Sequence, residues 1–517
     1  MTILEDFKAD PLNEDLFARL TTEFFGSGLE IGSYVDGHIM PGKGNYIELV
    51  EPASGTAYAK YRDAGPAVAA AACEAAARAQ RAWWAMTASD RGRKMHAAGR
   101  HLRTKAAAVA QFEALTSGRP LTSTVNEIEA VAQMFEYFAG WCDKLEGTVI
   151  PVPTTQLNYV IRAPYGVVVQ MTPWNAPLST GGWQIAPALA SGNSVVLKPS
   201  ELTPATSIIL ARLLEEGGLP RGLVNVLAGL GESTAAPAIL DQNTRMVVFV
   251  GSTRTGSIIA SLAAKRIIPC ILELGGKSAN IVFDDADSRI AVLGAQRAIF
   301  QNAGQACTAG SRLLVQRRVY DKIVGHLAEV TPQIPVGHPL DQRTLVGPIN
   351  NKTQLNQIKR MVDEAKTAGA EVLAGGSELA LVNQPGGMYY APTLISGLND
   401  QIEVGHEEVF GPVLGITPFE EEEEAIAIAN ASHYGLAGGV WTQNVGRAHR
   451  VASKIQAGTF WINGYRSISV MTPFGGFKNS GYGRSSGYEG LMQYTQTKSV
   501  WVETAETSPE TGTRYPF

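Results

Sequence analysis

The sequence predicts an α/β fold built on parallel sheets with helices on both faces. Three observations predict it. The chain has 517 residues, too many for one ordinary core, so two or three folding units are expected. From residue 158 onward, short apolar runs alternate with helical patterns. Those runs are apolar throughout rather than every second residue, as in strands buried on both sides.

Taken in order, residues 65–115 are alanine-rich with helical periodicity and read as packed amphipathic helices. "YVIRAPYGVVVQMTPWN" holds two β-branched runs around a Pro-containing turn. "SVVLKPSE" is a strand, and "TPATSIILARLLEEGGLP" a helix with a Thr start and a Gly-Gly stop. "LVNVLAG" is a strand, and "RMVVFVGSTRTGSIIASLAAK" a strand, glycine turn and helix. A second α/β set follows "ILELGGKSANIVFDD", with a helix over 291–306, the segment "SRLLVQRRVYDKIVGHLAEV" and a unit around "MYYAPTLISG". Five glutamates at 420–424 suit the first turn of a helix, where negative charge meets the dipole. The polar tail "ETAETSPETGTRYPF" is expected to lie on a surface or a partner subunit.

Composition excludes several classes. A net charge of −5 offers no basic patch for nucleic acid and no polybasic membrane signal. No apolar run approaches the roughly 20 residues that span a bilayer, and "MTILEDFKAD" is no signal peptide. The four cysteines, Cys73, Cys142, Cys270 and Cys307, show no C-x-x-C spacing, and the closest histidines, His96 and His101, miss the i, i+4 spacing of a helical metal pair. A soluble, cytoplasmic protein without a metal is expected.

Chemistry is sought first at "QNAGQACTAGSR". Cys307 stands among small residues, with Gly304 before it and Gly310 after. Either a tight turn tolerates a cysteine, or the backbone is shaped to present a thiolate. "FVGSTRTG" runs from strand to helix with Gly251 and Gly256 flanking Ser252, which suits an anion at a helix N-terminus but lacks the G-x-G-x-x-G fingerprint. "LKPSE" places Lys198 and Glu201 just beyond a strand, where they suit ribose hydroxyls or simply face solvent. Glu273 of "ELGGKS" either caps a turn or is a desolvated base with a raised pKa. The Asn175 amide of "TPWNAP" could donate to a developing oxyanion.

The order "TPWNAP", "LKPSE", "VGSTRTG", "LELGGKS", "GQACTAGSR", "EEVFGP", "TFWIN", "PFGGFKNSGYGR" resembles the aldehyde dehydrogenase superfamily over roughly residues 30–505. The resemblance implies a doubly wound dinucleotide-binding domain (1–146 and 162–273), an α/β catalytic domain (274–480), and a small bridging sheet for oligomerisation (147–161 and 481–517). A homodimer or homotetramer is implied. So is oxidation of a small-molecule aldehyde with NAD, or with NADP if Glu201 rotates aside. Cys307 is the implied nucleophile, Asn175 and the Cys307 N–H the oxyanion donors, and Glu273 the base that activates water. Trp174, Lys198, Glu201, Gly251, Ser252, Gly256, Leu274, Glu408 and Phe410 are the implied cofactor contacts.

The substrate wall implied by the resemblance comprises Ala176, Thr180, Trp183, Ile468 and Phe474, with Ser179 and Gly181 beside them. Ala176, Ser179, Thr180 and Gly181 are cut back relative to family members that favour short aldehydes, with Phe474 kept as a stacking face, so a bulky, aromatic or extended aldehyde is expected. Arg466 could pair with a carboxylate on a semialdehyde; a solvated loop arginine is the plainer reading. Many family members carry an internal lysine–glutamate pair where this chain has Gln184 and Ser485. A coenzyme A-acylating branch usually lacks the glutamate at Glu273, a structural family member would have lost Cys307 or Glu273, and a cysteine hydrolase needs a histidine that no segment near Cys307 supplies.

Overall fold

The computed structural model describes residues 14–26, 31–399 and 401–504. The first sheet has eight strands. Its five central strands are parallel and lie in the order Val224–Val226, Ser194–Pro199, Val167–Thr172, Thr244–Val250, Cys270–Glu273. In chain order that is 3-2-1-4-5. The chain enters at the middle and winds outward in both directions, which opens a crevice beyond the carboxyl ends of the central strands. Antiparallel strands close both edges: Ser33–Val35 against Val224–Val226, and Gly481–Tyr482 against Cys270–Glu273.

Local sequence explains how this sheet delivers its ends to the crevice. "TRMVVFV" is a β-branched and aromatic strand, and Ser252 then caps the helix Thr253–Arg266 by accepting the Thr255 N–H at 3.3 Å. The helix Pro177–Ala190 starts with proline in its first turn and packs against the helix Leu121–Ala139.

The second sheet has seven strands, six of them parallel: Thr393–Ser396, Val413–Phe419, Arg312–Gln316, Ala279–Val282, Ala437–Trp441 and Thr459–Ile462. A three-stranded antiparallel sheet joins Thr148–Ile150, Leu157–Pro164 and Thr495–Val502. Among the described residues, no helix is long and apolar enough to cross a membrane.

Several details differ from the sequence expectation. The helix placed over 291–306 is Ser288–Phe300, because Asp287 caps its start and Asn302, Ala303 and Gly304 take positive φ (56°, 52°, 71°) at its end. Thr203 does not cap the helix Ala205–Glu216; Pro204 precedes it without a side-chain cap. Gly218, at φ 106°, does stop that helix. Of the five glutamates, Glu422–Glu424 form the first turn of Glu422–Asn430, and Glu422 is ion-paired with Arg450 at 2.7 Å. The third sheet runs past residue 161 to Pro164, while Gly481 and Tyr482 belong to the first sheet. Of the tail, 505–517 lies outside the described residues.

Gly182 is where the two helices named above touch. A Cβ there would fall 2.6 Å from a Val131 methyl. Gly182→Ala should therefore destabilise the fold by about 1–3 kcal/mol. A denaturant midpoint checks it, and Val131→Ala in the same chain should recover most of the loss.

Candidate active site

Three backbone segments converge on Cys307, and glycines are what let them meet. A Cβ on Gly304 would lie 1.9 Å from the Gly411 carbonyl oxygen, in the loop after Phe410. One on Gly276 would lie 2.8 Å from the Cys307 carbonyl, and one on Gly275 would lie 2.1 Å from a Glu408 oxygen. The left-handed residues Asn302 and Ala303 cost of order 1–3 kcal/mol each and persist because their surroundings hold them. Gln305 is one such hold: its Oε1 accepts the Asn350 N–H at 2.9 Å.

Asn175 meets this turn from the first sheet. Its Nδ2 donates to the Gln305 carbonyl at 2.8 Å, and Asn302 Nδ2 donates to the Asn175 carbonyl at 3.2 Å. A primary amide has two N–H donors, so the second stays available for an oxyanion. The Thr308 N–H donates to the Cys307 sulfur and favours the thiolate.

Glu273 ends the strand Cys270–Glu273 and is 5% exposed. Neither carboxylate oxygen has a hydrogen-bond partner by distance and angle among the described residues. Burial pushes its pKa up to about 8, against a smaller downward pull from the nearby Ser485 hydroxyl and Arg484 guanidinium. Burial likewise raises Glu408 to about 7, moderated by the Gly276 N–H at 3.1 Å and by Lys277. The Cys307 thiol is pushed up to about 12, by burial first and then by Glu408 and Glu273; Arg466 pulls the other way. Cys307 keeps some contact with solvent, so enclosure by surrounding protein, not complete sealing, produces this shift. Up to about neutrality those two carboxyls hold their protons and add little negative charge beside the sulfur.

Of the expected cofactor residues, Trp174, Glu201, Gly251, Ser252 and Leu274 follow closely on the carboxyl ends of first-sheet strands. Lys198 Nζ lies 3.5 Å from Glu201, and burial lowers the lysine pKa while Glu201 opposes the shift. Trp174 and Phe410 meet edge to face at 5.3 Å. Gly251 and Gly256 are required by packing: their Cβ atoms would strike the Phe249 ring at 2.5 Å and Leu274 at 2.6 Å. Gln354, which sequence reasoning missed, donates to the Val409 and Phe410 carbonyls at 2.9 and 3.2 Å and fixes the "EEVFGP" loop. A recess of about 540 Å³ lined by Leu202, Asn350 and Lys352 does not include Cys307.

Of the expected substrate wall, Ala176 is the half-buried N-cap of Pro177–Ala190 and Thr180 is half-buried on its first turn. Gly181 does not belong to that wall; its Cβ direction faces Leu210 and Leu197 at 3.3 and 3.7 Å, toward the sheet. The Trp183 ring meets Phe474 edge to face at 6.2 Å, and its N–H donates to Ser485 Oγ at 2.7 Å. Ile468 sits on an exposed loop. Gln184 takes the Tyr494 hydroxyl at 2.9 Å. Ser485 thus accepts from Trp183 and lowers the Glu273 pKa at once. Among the described residues, no cluster of His, Cys, Asp and Glu could hold a metal.

A model described as the aldehyde dehydrogenase family matches residues 39–500. Betaine aldehyde dehydrogenase of Mesorhizobium japonicum is 39% identical, covering 92% of this chain and 96% of its own. Two solved structures are also similar. Betaine aldehyde dehydrogenase of Staphylococcus aureus in complex with NAD+ has TM-score 0.91 and 36% identity, covering 96% of this chain and 98% of that one. PnpE from Pseudomonas sp. WBC-3 has TM-score 0.90 and 40% identity, covering 93% and 99%. The chain belongs to the aldehyde dehydrogenase family and is an oxidoreductase of that class.

Because the Ser485 hydroxyl lowers the Glu273 pKa, Ser485→Ala should raise it. A rate that needs ionised Glu273 rises with pH through about 8 in the native chain, and the variant's rise should sit at higher pH. The pH profile of turnover reads the displacement.

Proposed function

We propose that this chain oxidises a bulky, aromatic or extended aldehyde to its carboxylic acid with NAD, through a thiohemiacetal and a thioester on Cys307. The observation that carries the reading is one meeting point: a thiol, an uncommitted Asn175 amide N–H and a buried carboxyl of raised pKa. The Cys307 thiolate attacks the aldehyde carbon and forms the C–S bond. The oxyanion is held by Asn175 and the Cys307 N–H. Loss of hydride from that carbon leaves the thioester. Glu273 then takes a proton from water, whose oxygen attacks the acyl carbon; the C–S bond breaks and the thiolate leaves with the acid formed.

The residues fit a dinucleotide. The crevice lies at the switch in strand order, and the Ser252-capped helix start favours the pyrophosphate side together with Trp174. Lys198 and Glu201 would hold the adenosine ribose, and Leu274, Glu408 and Phe410 the nicotinamide side. When bound, NAD supplies the acceptor for the hydride. Glu201 favours NAD because a carboxylate repels a 2′-phosphate. The NAD+ complex of the S. aureus enzyme supports the same cofactor. Exposed Val149, Leu157, Ile161 and Trp501 on the three-stranded sheet support assembly as a homodimer or homotetramer.

Cys307→Ala should abolish turnover while NAD still binds, measured by calorimetry. Glu273→Gln should show a burst of reduced cofactor followed by slow turnover, because it impairs hydrolysis after hydride transfer. A burst that vanishes with turnover would place Glu273 earlier. Ala176→Phe should cut catalytic efficiency on benzaldehyde far more than on propanal; equal loss on both overturns the bulky-substrate reading.

A further inference from the structure

The helix Pro177–Ala190 starts two residues after Asn175, and its N-cap residue, Ala176, has no side chain that could cap it. Pro177 carries no N–H, so the Leu178 N–H is the first donor at the helix start. Glu113 meets it from another helix, Ala106–Ser117: its Oε1 accepts the Leu178 N–H at 3.4 Å. The cap is borrowed from 65 residues earlier in the chain.

Glu113 is 0% exposed, and burial pushes its pKa up to about 7. The Glu127 charge pushes the same way, while Thr206, Arg119 and the Leu178 N–H pull it down. Tyr58 lies in its field as well. Neither the Tyr58 hydroxyl nor Glu113 Oε2 has a hydrogen-bond partner by distance and angle among the described residues. A leucine here would avoid the cost of burying a carboxyl, so what the glutamate adds is an acceptor at a helix start, where negative charge is favoured.

The same helix reaches the other side of the oxyanion position. Ser117 Oγ donates to the Glu113 carbonyl at 2.6 Å, and the Ser117 carbonyl accepts Asn350 Nδ2 at 3.1 Å. The Asn350 N–H donates to Gln305 Oε1 at 2.9 Å, and the Gln305 carbonyl accepts Asn175 Nδ2 at 2.8 Å. These bonds close a ring. It runs from Glu113 through Leu178 to Asn175, across to the turn before Cys307, and back through Asn350 to the helix of Glu113. Only Ala176 and Pro177 separate Asn175 from Leu178, and the proline ring fixes its own φ, so a shift of Leu178 is passed on to the amide.

We infer that Glu113 is a positioning residue for the oxyanion: by capping the start of Pro177–Ala190 it sets where the Asn175 amide meets the reacting oxygen. The inference rests on the reading of Asn175 as an oxyanion donor, and Glu113 acts only through that amide.

A double-mutant cycle on the full chain with NAD tests it, read as the single-turnover rate of hydride transfer from benzaldehyde. Glu113→Leu should slow that step about 10- to 100-fold, the scale of a misplaced contact at a reacting centre. Glu113→Gln, which keeps an acceptor, should recover most of the loss. Asn175→Ala should slow it about 100- to 1000-fold. Adding Glu113→Leu to Asn175→Ala should then cost less than about threefold more, because the group it acts through is gone. A glutamate that only stabilises the fold would slow both backgrounds by the same factor. If Glu113→Leu does not fold, Glu113→Asp carries the cycle, since its shorter side chain withdraws the acceptor and keeps the charge. Equal factors in the two backgrounds, or a native rate without the Glu113 acceptor, overturn the inference while the oxyanion reading stands. A native rate in Asn175→Ala overturns the oxyanion reading and the inference with it.

Discussion

Everything at this site depends on how closely three backbones approach one another without side chains between them. Gly304 lies against the Gly411 carbonyl, and Gly275 and Gly276 lie against Glu408 and the Cys307 carbonyl. A single methyl at Gly304 would demand movement of a backbone carbonyl, and no side-chain rotation could relieve it. The first sheet, the second sheet and the loop at 407–412 are therefore locked at a fixed separation. Cys307 gains its position from that lock, because its own side chain makes few bonds.

The second constraint is electrostatic. Glu273, Glu408 and Cys307 are three acidic groups raised by burial, and the two carboxyls raise the thiol further. The cations around them are arranged unevenly. Lys277 lowers Glu408 and Arg466 lowers the thiol, each against the larger effect of burial.

The parallel sheets and the order of the chemical motifs were legible because each rests on local rules. Continuous apolar strands, glycine stops and a cysteine among small residues carry their meaning within a few positions. Gly181 shows where that ends: it shares a helical turn with Thr180, yet points at Leu197 and Leu210, a matter of helix rotation. The substitution of Ser485 was visible, but its bond to Trp183 was not, because only the fold brings residues 183 and 485 together.

The strand that ends in Glu273 is flanked on its outer side by Gly481 and Tyr482, and Ser480 accepts the Leu274 N–H and donates to the Gly275 carbonyl. More than 200 residues separate these partners, so the cofactor sheet cannot close its edge until nearly the whole chain has been synthesised. A nascent chain ending within the second sheet would present a bare strand edge open to pairing with another molecule. The same arrangement leaves the strand that ends in Glu273 unpaired on its outer side until residues 480–482 have been made. An incomplete chain would carry Glu273 without the strand and the Ser480 bonds that hold the segment after it in place.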